Sequence, residues 1–345
     1  MQCTLLIPHL FWPRETAEAV MSGLELPALA TILARSRTER LPAITSEGWL
    51  CEAHHVERQQ DWPIAPLTLA LDGGVAGDAY WLRADPVHLR VDRDRLVLVE
   101  SALFNVTPGE ARAFAATLNA HFSSEGIAFH ALTPKRWYAK LDRAPHLVTR
   151  STFEAAGRDV NAHLPTGPDA LRWHGVFNEA QMLLHAAPEN GAREERGEPV
   201  VNSVWFWGGG TRQPVRARPY DAVWSDDAIA TALAVAGGGE TAPLPADASA
   251  WLAATASRPK PYDSHLIVTE ALMAAAAHQD AESWRAQIAA LETRWFRPLL
   301  QALRQGRMRR ITLVVTGESA CRRFEITRSG LMKIWRRAPR WSEYA

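Results

Sequence analysis

Glu270 and His278 are types suited to proton transfer, but they stand eight residues apart, just over two helical turns. That spacing is too long for direct contact along one helix, which argues against a working acid–base pair. Cys51, Glu52, His54, His55 and Glu57 gather metal-ligating types in one short stretch. Adjacent residues there point in different directions and no fourth ligand spacing fits, so the reading is a solvated loop. The run Asn202-Ser203-Val204-Trp205-Phe206-Trp207-Gly208-Gly209-Gly210-Thr211-Arg212 is more tightly specified. Val204 and Phe206 alternating with Trp205 and Trp207 predict a strand buried on both faces. The glycines let the backbone pass close to a ligand or to another strand. Arg212 adds a planar donor fork suited to an anion. Arg336, Arg337 and Arg340 interleave with Trp335 and Trp341, a composition used in nucleic-acid patches. In a chain of zero net charge it reads instead as a packed C-terminal arm or a contact for a protein partner.

The elements that must carry these residues are legible in outline. Thr4 to Ile7 predicts a buried first strand, and Thr16 to Arg35 a helical stretch interrupted by Pro27. Ala79 to Leu82 and Val87 to Val99 predict strands, the second broken by a hairpin turn at Asp92-Arg93-Asp94. Thr107-Pro108-Gly109-Glu110 has the cap, the N1 proline and the acidic residue of a capping box, with Ala111, Phe114, Ala115 and Leu118 on one face. Strands follow at Ile127–Ala131 and Arg136–Leu141, then a helix from Gly167 or Pro168 to Ala186. Pro188 to Pro199 and Ala236 to Pro245 read as loops. His265–Val268 predicts a strand, Asp280–Leu303 an amphipathic helix, and Arg310–Thr316 a last strand of parallel type.

The 345 residues are 47% hydrophobic, enough for one large or two smaller cores. Lysine plus arginine equal aspartate plus glutamate at 38 each, so no global field favours nucleic acid or a membrane. Cys3, Cys51 and Cys321 are far apart and read as reduced thiols of a cytoplasmic protein. No basic leader or membrane-length apolar run is expected from the sequence. The 14 tryptophans read mostly as core residues.

Taken in order, the motifs resemble those of the archaeal-type cofactor-independent phosphoglycerate mutases, of the alkaline-phosphatase-like superfamily. Asn202 to Gly210 is similar to the family's Asn-x-x-Trp-x-Trp-Gly-x-Gly pattern, and Asn190, Arg193, Arg196, Gly197 and Pro199 to the charged loop before it. Leu164–Pro168, Val106–Arg112 and Gly77–Arg83 resemble further segments, while Ala84–Leu89 resembles the RpfE-type regulators more than the enzymes. The resemblance implies an α/β alkaline-phosphatase-like core, residues 1–75 and 215–345, with a smaller α/β domain inserted at 76–214. It also implies two divalent metals, held by Asp and His, that activate a serine for phosphoryl transfer.

The chain departs from that pattern at the metal positions. The first strand ends Ile7-Pro8-His9-Leu10 rather than Asp-Gly, and Leu26-Pro27-Ala28-Leu29 offers no hydroxyl where the nucleophile is expected. Glu270 and His278 stand in for an Asp and a His, and Val315-Thr316-Gly317-Glu318-Ser319 replaces a final Asp-His. The reading is therefore a non-catalytic, metal-free homologue without a cofactor, a regulatory pseudoenzyme in the cytoplasm. It binds a small phosphorylated or carboxylated metabolite through Arg83, Arg193, Arg196 and Arg212, or a protein partner, with neither nucleic acid nor membrane as a partner. The alternative is a phosphoglycerate mutase-like isomerase or phosphohydrolase with ligands rebuilt from His9, Glu270, His278 and Glu318.

Overall fold

In the computed structural model, residues 1–93, 95–257, 262–317, 320–338 and 340–344 are described. The chain divides into two compact units, one of residues 1–55 with 215–345 and one of residues 56–214.

The first unit is built on the apolar strands read from the sequence. β1 (Gln2–Leu6) lies between β10 (Ser264–Val268) and β11 (Arg310–Val315), parallel to both, with Leu6 opposite Val268 on one side and Val314 on the other. β8 (Ala222–Trp224) and β9 (Glu240–Ala242) continue the parallel set, the latter inside the expected 236–245 loop. β12 (Cys321–Thr327) and β2 (Arg37–Leu41) close the other side antiparallel, giving the order β2-β12-β11-β1-β10-β8-β9. Around it pack α1 (Ala17–Met21), α2 (Pro27–Arg35), α3 (Ser46–Ala53), α9 (Ala228–Ala236), α10 (Ala248–Ala256), α11 (Met273–Ala277), α12 (Ala281–Leu291) and α13 (Arg297–Arg304). Pro27 interrupts the first helical stretch by starting α2 at its N1 position, where its missing N–H costs nothing. The expected single helix 280–303 is instead α12 and α13 joined by a π turn, Glu292–Phe296. The core is largely apolar, with Leu5, Leu29, Trp251, Trp284, Phe296 and Phe324 fully buried.

The second unit is an antiparallel sheet with helices. β3 (Tyr80–Asp92) is one continuous 13-residue strand rather than two. Its length lets it pair with β6 (Tyr138–Leu141) at its start, β4 (Arg95–Glu100) at its end, and β7 (Ser203–Gly210) along the opposite edge. β5 (Ile127–His130) pairs with β6. Its helices are α4 (Ile64–Leu71), α5 (Pro108–Phe122), α6 (Thr152–Ala155), α7 (Ala170–His185) and α8 (Pro188–Glu195). The capping box before α5 is formed as expected, Thr107 Oγ1 accepting from Glu110 N at 3.2 Å and Glu110 Oε2 from Thr107 N at 2.8 Å. Two expectations are corrected here. The segment expected as a charged loop is α8, which Pro188 opens and whose polar Asn190 and Arg193 are its buried side. The unit begins at Val56 rather than residue 76, because α4 packs its apolar residues on β3 and β7.

Candidate functional site

Parallel α/β sheets bind ligands outside the carboxyl ends of their strands, and in the first unit that edge gathers the polar residues. Leaving β1, Ile7 N donates to Val314 O at 2.9 Å and His9 N to Thr316 O at 3.2 Å. His9 adopts a left-handed φ of 55°, and its carbonyl accepts from Trp284 Nε1 at 3.0 Å. Leaving β10, Thr269 N donates to Leu6 O at 3.2 Å, which sets Glu270 next along the chain. Beyond β11, the Thr316 hydroxyl lies 3.0 Å from that of Ser46, the first residue of α3, and an Ile44–Gly317 bridge ties the loop before α3 to this strand end. Thr45 caps α3 through Gly48 N at 3.2 Å. Beyond β8, Asp227 caps α9 through Ala230 N at 2.6 Å, with Asp226 beside it.

The electrostatic character of this edge is acidic. Burial raises the pKa of the Glu270 carboxyl above the ordinary carboxylate range, and the nearby charges of Asp227, Glu47 and Asp226 push in the same direction. Glu270 is nonetheless exposed at this strand end, crowded by neighbouring atoms rather than sealed from water. Glu47, in the first turn of α3, is itself buried. His278 closes α11, one short helix beyond Glu270, with its N–H on Ala274 O at 3.0 Å. Glu318 lies outside the described residues. Of the expected ligands, His9 and Glu270 therefore sit at adjacent strand ends, with His278 a helix away. Ser46, Glu47, Asp226 and Asp227 were not anticipated. The signals available for them were the Thr45-Ser46-Glu47-Gly48 helix start and the Asp226-Asp227 cap.

The two-metal centre implied by the resemblance does not fit these donors. The only described trio of His, Cys, Asp or Glu whose ligand atoms all lie within 4.8 Å of one another is His121, Glu125 and Glu179, exposed in the second unit. The α2 start, expected as the nucleophile position, is closed by a side chain. Glu292 on the π turn accepts from Ala28 N at 2.9 Å and Leu29 N at 3.0 Å, while Arg297 Nε donates to it at 3.1 Å. A buried carboxylate thus occupies the place where that helix end would hold an anion. The Cys51–Glu57 stretch is also corrected, because Cys51 lies in α3 and His54 just after it. Both are buried, and His54 Nδ1 lies 2.8 Å from Leu50 O.

The arginines expected to bind an anion are mostly engaged inside the second unit. Arg83 is buried, with Nε 3.0 Å and Nη2 2.7 Å from Asp85 Oδ1 and Nη1 3.3 Å from Thr68 Oγ1. Its guanidinium lies 5.4 Å from the Tyr138 ring centre and 5.2 Å from that of Trp207. Arg193 has no exposed side-chain surface and donates to Pro199 O at 2.8 Å, Asn105 O at 2.7 Å and Glu110 Oε2 at 3.1 Å. Arg196 reaches Glu110 at 2.7 Å and Glu198 at 2.9 Å. Arg212 is exposed beyond β7.

The glycine run is also structural. A Cβ on Gly208, whose φ is +62°, would meet Ile64 at 2.9 Å; one on Gly209 would meet Tyr80 Oη at 2.5 Å; one on Gly210 would meet Pro63 at 2.6 Å. These glycines let β7 pass close to Pro63, α4 and β3, and all eight residues of β7 are buried.

The fold is that of the cofactor-independent phosphoglycerate mutases. The mutase of Thermoplasma acidophilum superposes with a TM-score of 0.50 at 12% identity, covering 100% of this chain and 94% of that one. A Pyrococcus horikoshii protein superposes with a TM-score of 0.55 at 12% identity, covering 99% and 92%. In sequence, the chain is 25% identical over 152 residues to the "Probable 2,3-bisphosphoglycerate-independent phosphoglycerate mutase" of Geobacter sulfurreducens, 43% of this chain and 37% of that protein. It is 25% identical over 150 residues to the mutase of Methanosarcina barkeri, again 43% of this chain and 37% of that one. No protein-family model matches. The chain is thus related to these mutases, through a match spanning well under half of their length. Among the described residues, no helix is long and apolar enough to cross a membrane.

Proposed function

We propose that this protein is a non-catalytic relative of the cofactor-independent phosphoglycerate mutases, with a binding or regulatory role in the cytoplasm. One observation carries the reading. The strand ends that would hold two metals present Pro8-His9, Thr269-Glu270 and Thr316-Gly317, and no described metal-ligating trio converges there. A binuclear centre needs several ligands at fixed places, and the lack of a converging trio at this edge among the described residues supports its absence. The regulatory part of the reading rests on Ala84–Leu89, the RpfE-like stretch, which runs through the middle of β3. Three free, buried thiols support a reducing compartment. Binding of a small phosphorylated or carboxylated metabolite rests on Arg212, since Arg83, Arg193 and Arg196 are committed to partners.

The test is a phosphoglycerate interconversion assay on the full chain with Mn2+ or Mg2+, together with metal analysis of the purified protein. The expected outcome is no turnover above background and no stoichiometric divalent ion; turnover at the rate of an authentic mutase overturns the proposal. The second reading is an enzyme with metal ligands rebuilt from His9, Glu270, His278 and Glu318, in which Glu270 lies among the like charges of Asp227, Glu47 and Asp226. It predicts that Mn2+ alone raises the melting temperature and that Glu270→Gln abolishes this effect. An unchanged melting temperature at millimolar Mn2+ rejects it.

A further inference from the structure

The surface turn after β12 combines exposed apolar side chains with positive charge that forms no ion pair among the described residues. Met332, Ile334 and Trp335 are 74%, 73% and 74% exposed. All 14 tryptophans lie among the described residues, and Trp335 alone among them is exposed. Lys333, Arg336 and Arg337 are interleaved with them. Between Glu325 and Glu343 the sequence holds five cations and no carboxylate.

The turn is held by its flanks. Leu331 is buried and its carbonyl accepts from Arg35 Nη1 at 2.8 Å, while Arg336 Nη1 donates to Ser36 O at 3.3 Å. Further along, Tyr344 stacks on Phe11 at 5.3 Å, and Ser342 donates to Glu18 at 2.7 Å from its hydroxyl and 3.0 Å from its backbone. These anchors fix the chain on both sides of a protruding apolar tip.

We propose that this turn is a reversible docking point for an anionic lipid surface. Trp335 with Ile334 and Met332 would enter the headgroup boundary, and Lys333, Arg336 and Arg337 would face the anionic headgroups. The charge argues against the two competing occupants. A second copy of the chain meeting this patch about a two-fold axis would set its cations against their own images. Single-stranded nucleic acid would use Trp335 for stacking but would leave Ile334 and Met332 without a role. The neutral overall charge, which argued against a membrane partner, does not describe a local patch with no acidic neighbour along the chain.

The experiment is cosedimentation of the full chain with phosphatidylcholine vesicles, with and without about a third phosphatidylserine, at low and high salt. Arg336 is left intact because it holds Ser36. The expected result is binding to the anionic vesicles that weakens with salt. The double change Lys333→Ala, Arg337→Ala should weaken it by about thirtyfold, from roughly fivefold for each cation removed. Trp335→Ser should weaken it by about tenfold, with the circular dichroism spectrum and melting temperature unchanged. Equal binding to neutral vesicles, no binding to either kind, or binding indifferent to both variants overturns the proposal. So does loss of a dimer, or of oligonucleotide binding, in Trp335→Ser without any vesicle effect.

Discussion

Replacing Arg83 with methionine tests whether this arginine serves the fold or a ligand. In the folded unit its guanidinium makes two hydrogen bonds of 2.7 and 2.8 Å from Nη2 and one of 3.0 Å from Nε to the Asp85 carboxylate, and both side chains are 6% exposed. Methionine removes the countercharge and leaves the Asp85 carboxyl group buried without its cation. Its remaining donors are Trp207 Nε1 at 2.8 Å and Trp137 N at 3.3 Å. Breaking one side of a buried pair costs about 3–5 kcal/mol, because the other charge is left uncompensated. For a unit of about 160 residues, each kcal/mol moves the midpoint by about 2–4 °C, so the second unit should melt roughly 6–20 °C lower. Adding Asp85→Asn removes the orphaned charge while keeping an acceptor for Trp207, and should recover part of the loss. Thermal or guanidinium unfolding followed by tryptophan fluorescence reads both variants. An Arg83→Met protein that melts within 2 °C of the parent refutes the argument, as does an Asp85→Asn addition that deepens the loss.

Three further outcomes are expected. Gly209→Ala should cost about 1–3 kcal/mol by overpacking against Tyr80 and Leu82, measured by denaturant unfolding; a neutral effect would mean that β7 has room to move. Glu292→Ala orphans the amides of Ala28 and Leu29 and should cost about 1–3 kcal/mol for each, so a variant as stable as the parent would show that water replaces the carboxylate. Glu270 has its pKa raised in the folded state, so the fold binds its proton more tightly than the unfolded chain does. Its contribution is fully present at a pH below the unfolded carboxyl pKa and is lost as pH rises through the folded one. Glu270→Gln should therefore raise the melting temperature at neutral and mildly alkaline pH and leave it unchanged near pH 4; the opposite dependence would mean that the carboxylate is stabilised by a partner.

The sequence signals that held are the local ones. Thr107 to Glu110 defines a helix start within four residues, and the structure forms both of its reciprocal hydrogen bonds. β2 escaped notice because Arg37-Thr38-Glu39-Arg40 is exposed on a sheet edge and carries no apolar alternation. α8 was hidden by its polar composition, since its buried side is made of Asn190 and Arg193 rather than of apolar residues. The acidic edge was illegible for a different reason. Glu47, Asp226 and Glu270 lie far apart in the chain and share an edge only because β8, β10 and β1 are neighbours, with α3 starting beside β11.

The residues that carry the mutase resemblance hold the second unit together. Asn190 joins α8 to Val201, Asn202 pairs both backbone groups of Leu89, Trp207 donates to Asp85, and Arg193 binds the segment before α5. Each satisfies a buried polar group that would otherwise be costly, so each must persist if the unit is to fold, whether or not any reaction occurs. The strand ends of the first unit carry no such requirement. There Pro8, Thr269 and Thr316 follow the last residues of the parallel ladders, Leu6, Val268 and Val314, so their side chains can change without unpairing the sheet. The Asn-x-x-Trp-x-Trp-Gly pattern therefore reports descent through the needs of folding. On the function proposed above, activity is lost at the few residues beyond Leu6, Val268 and Val315.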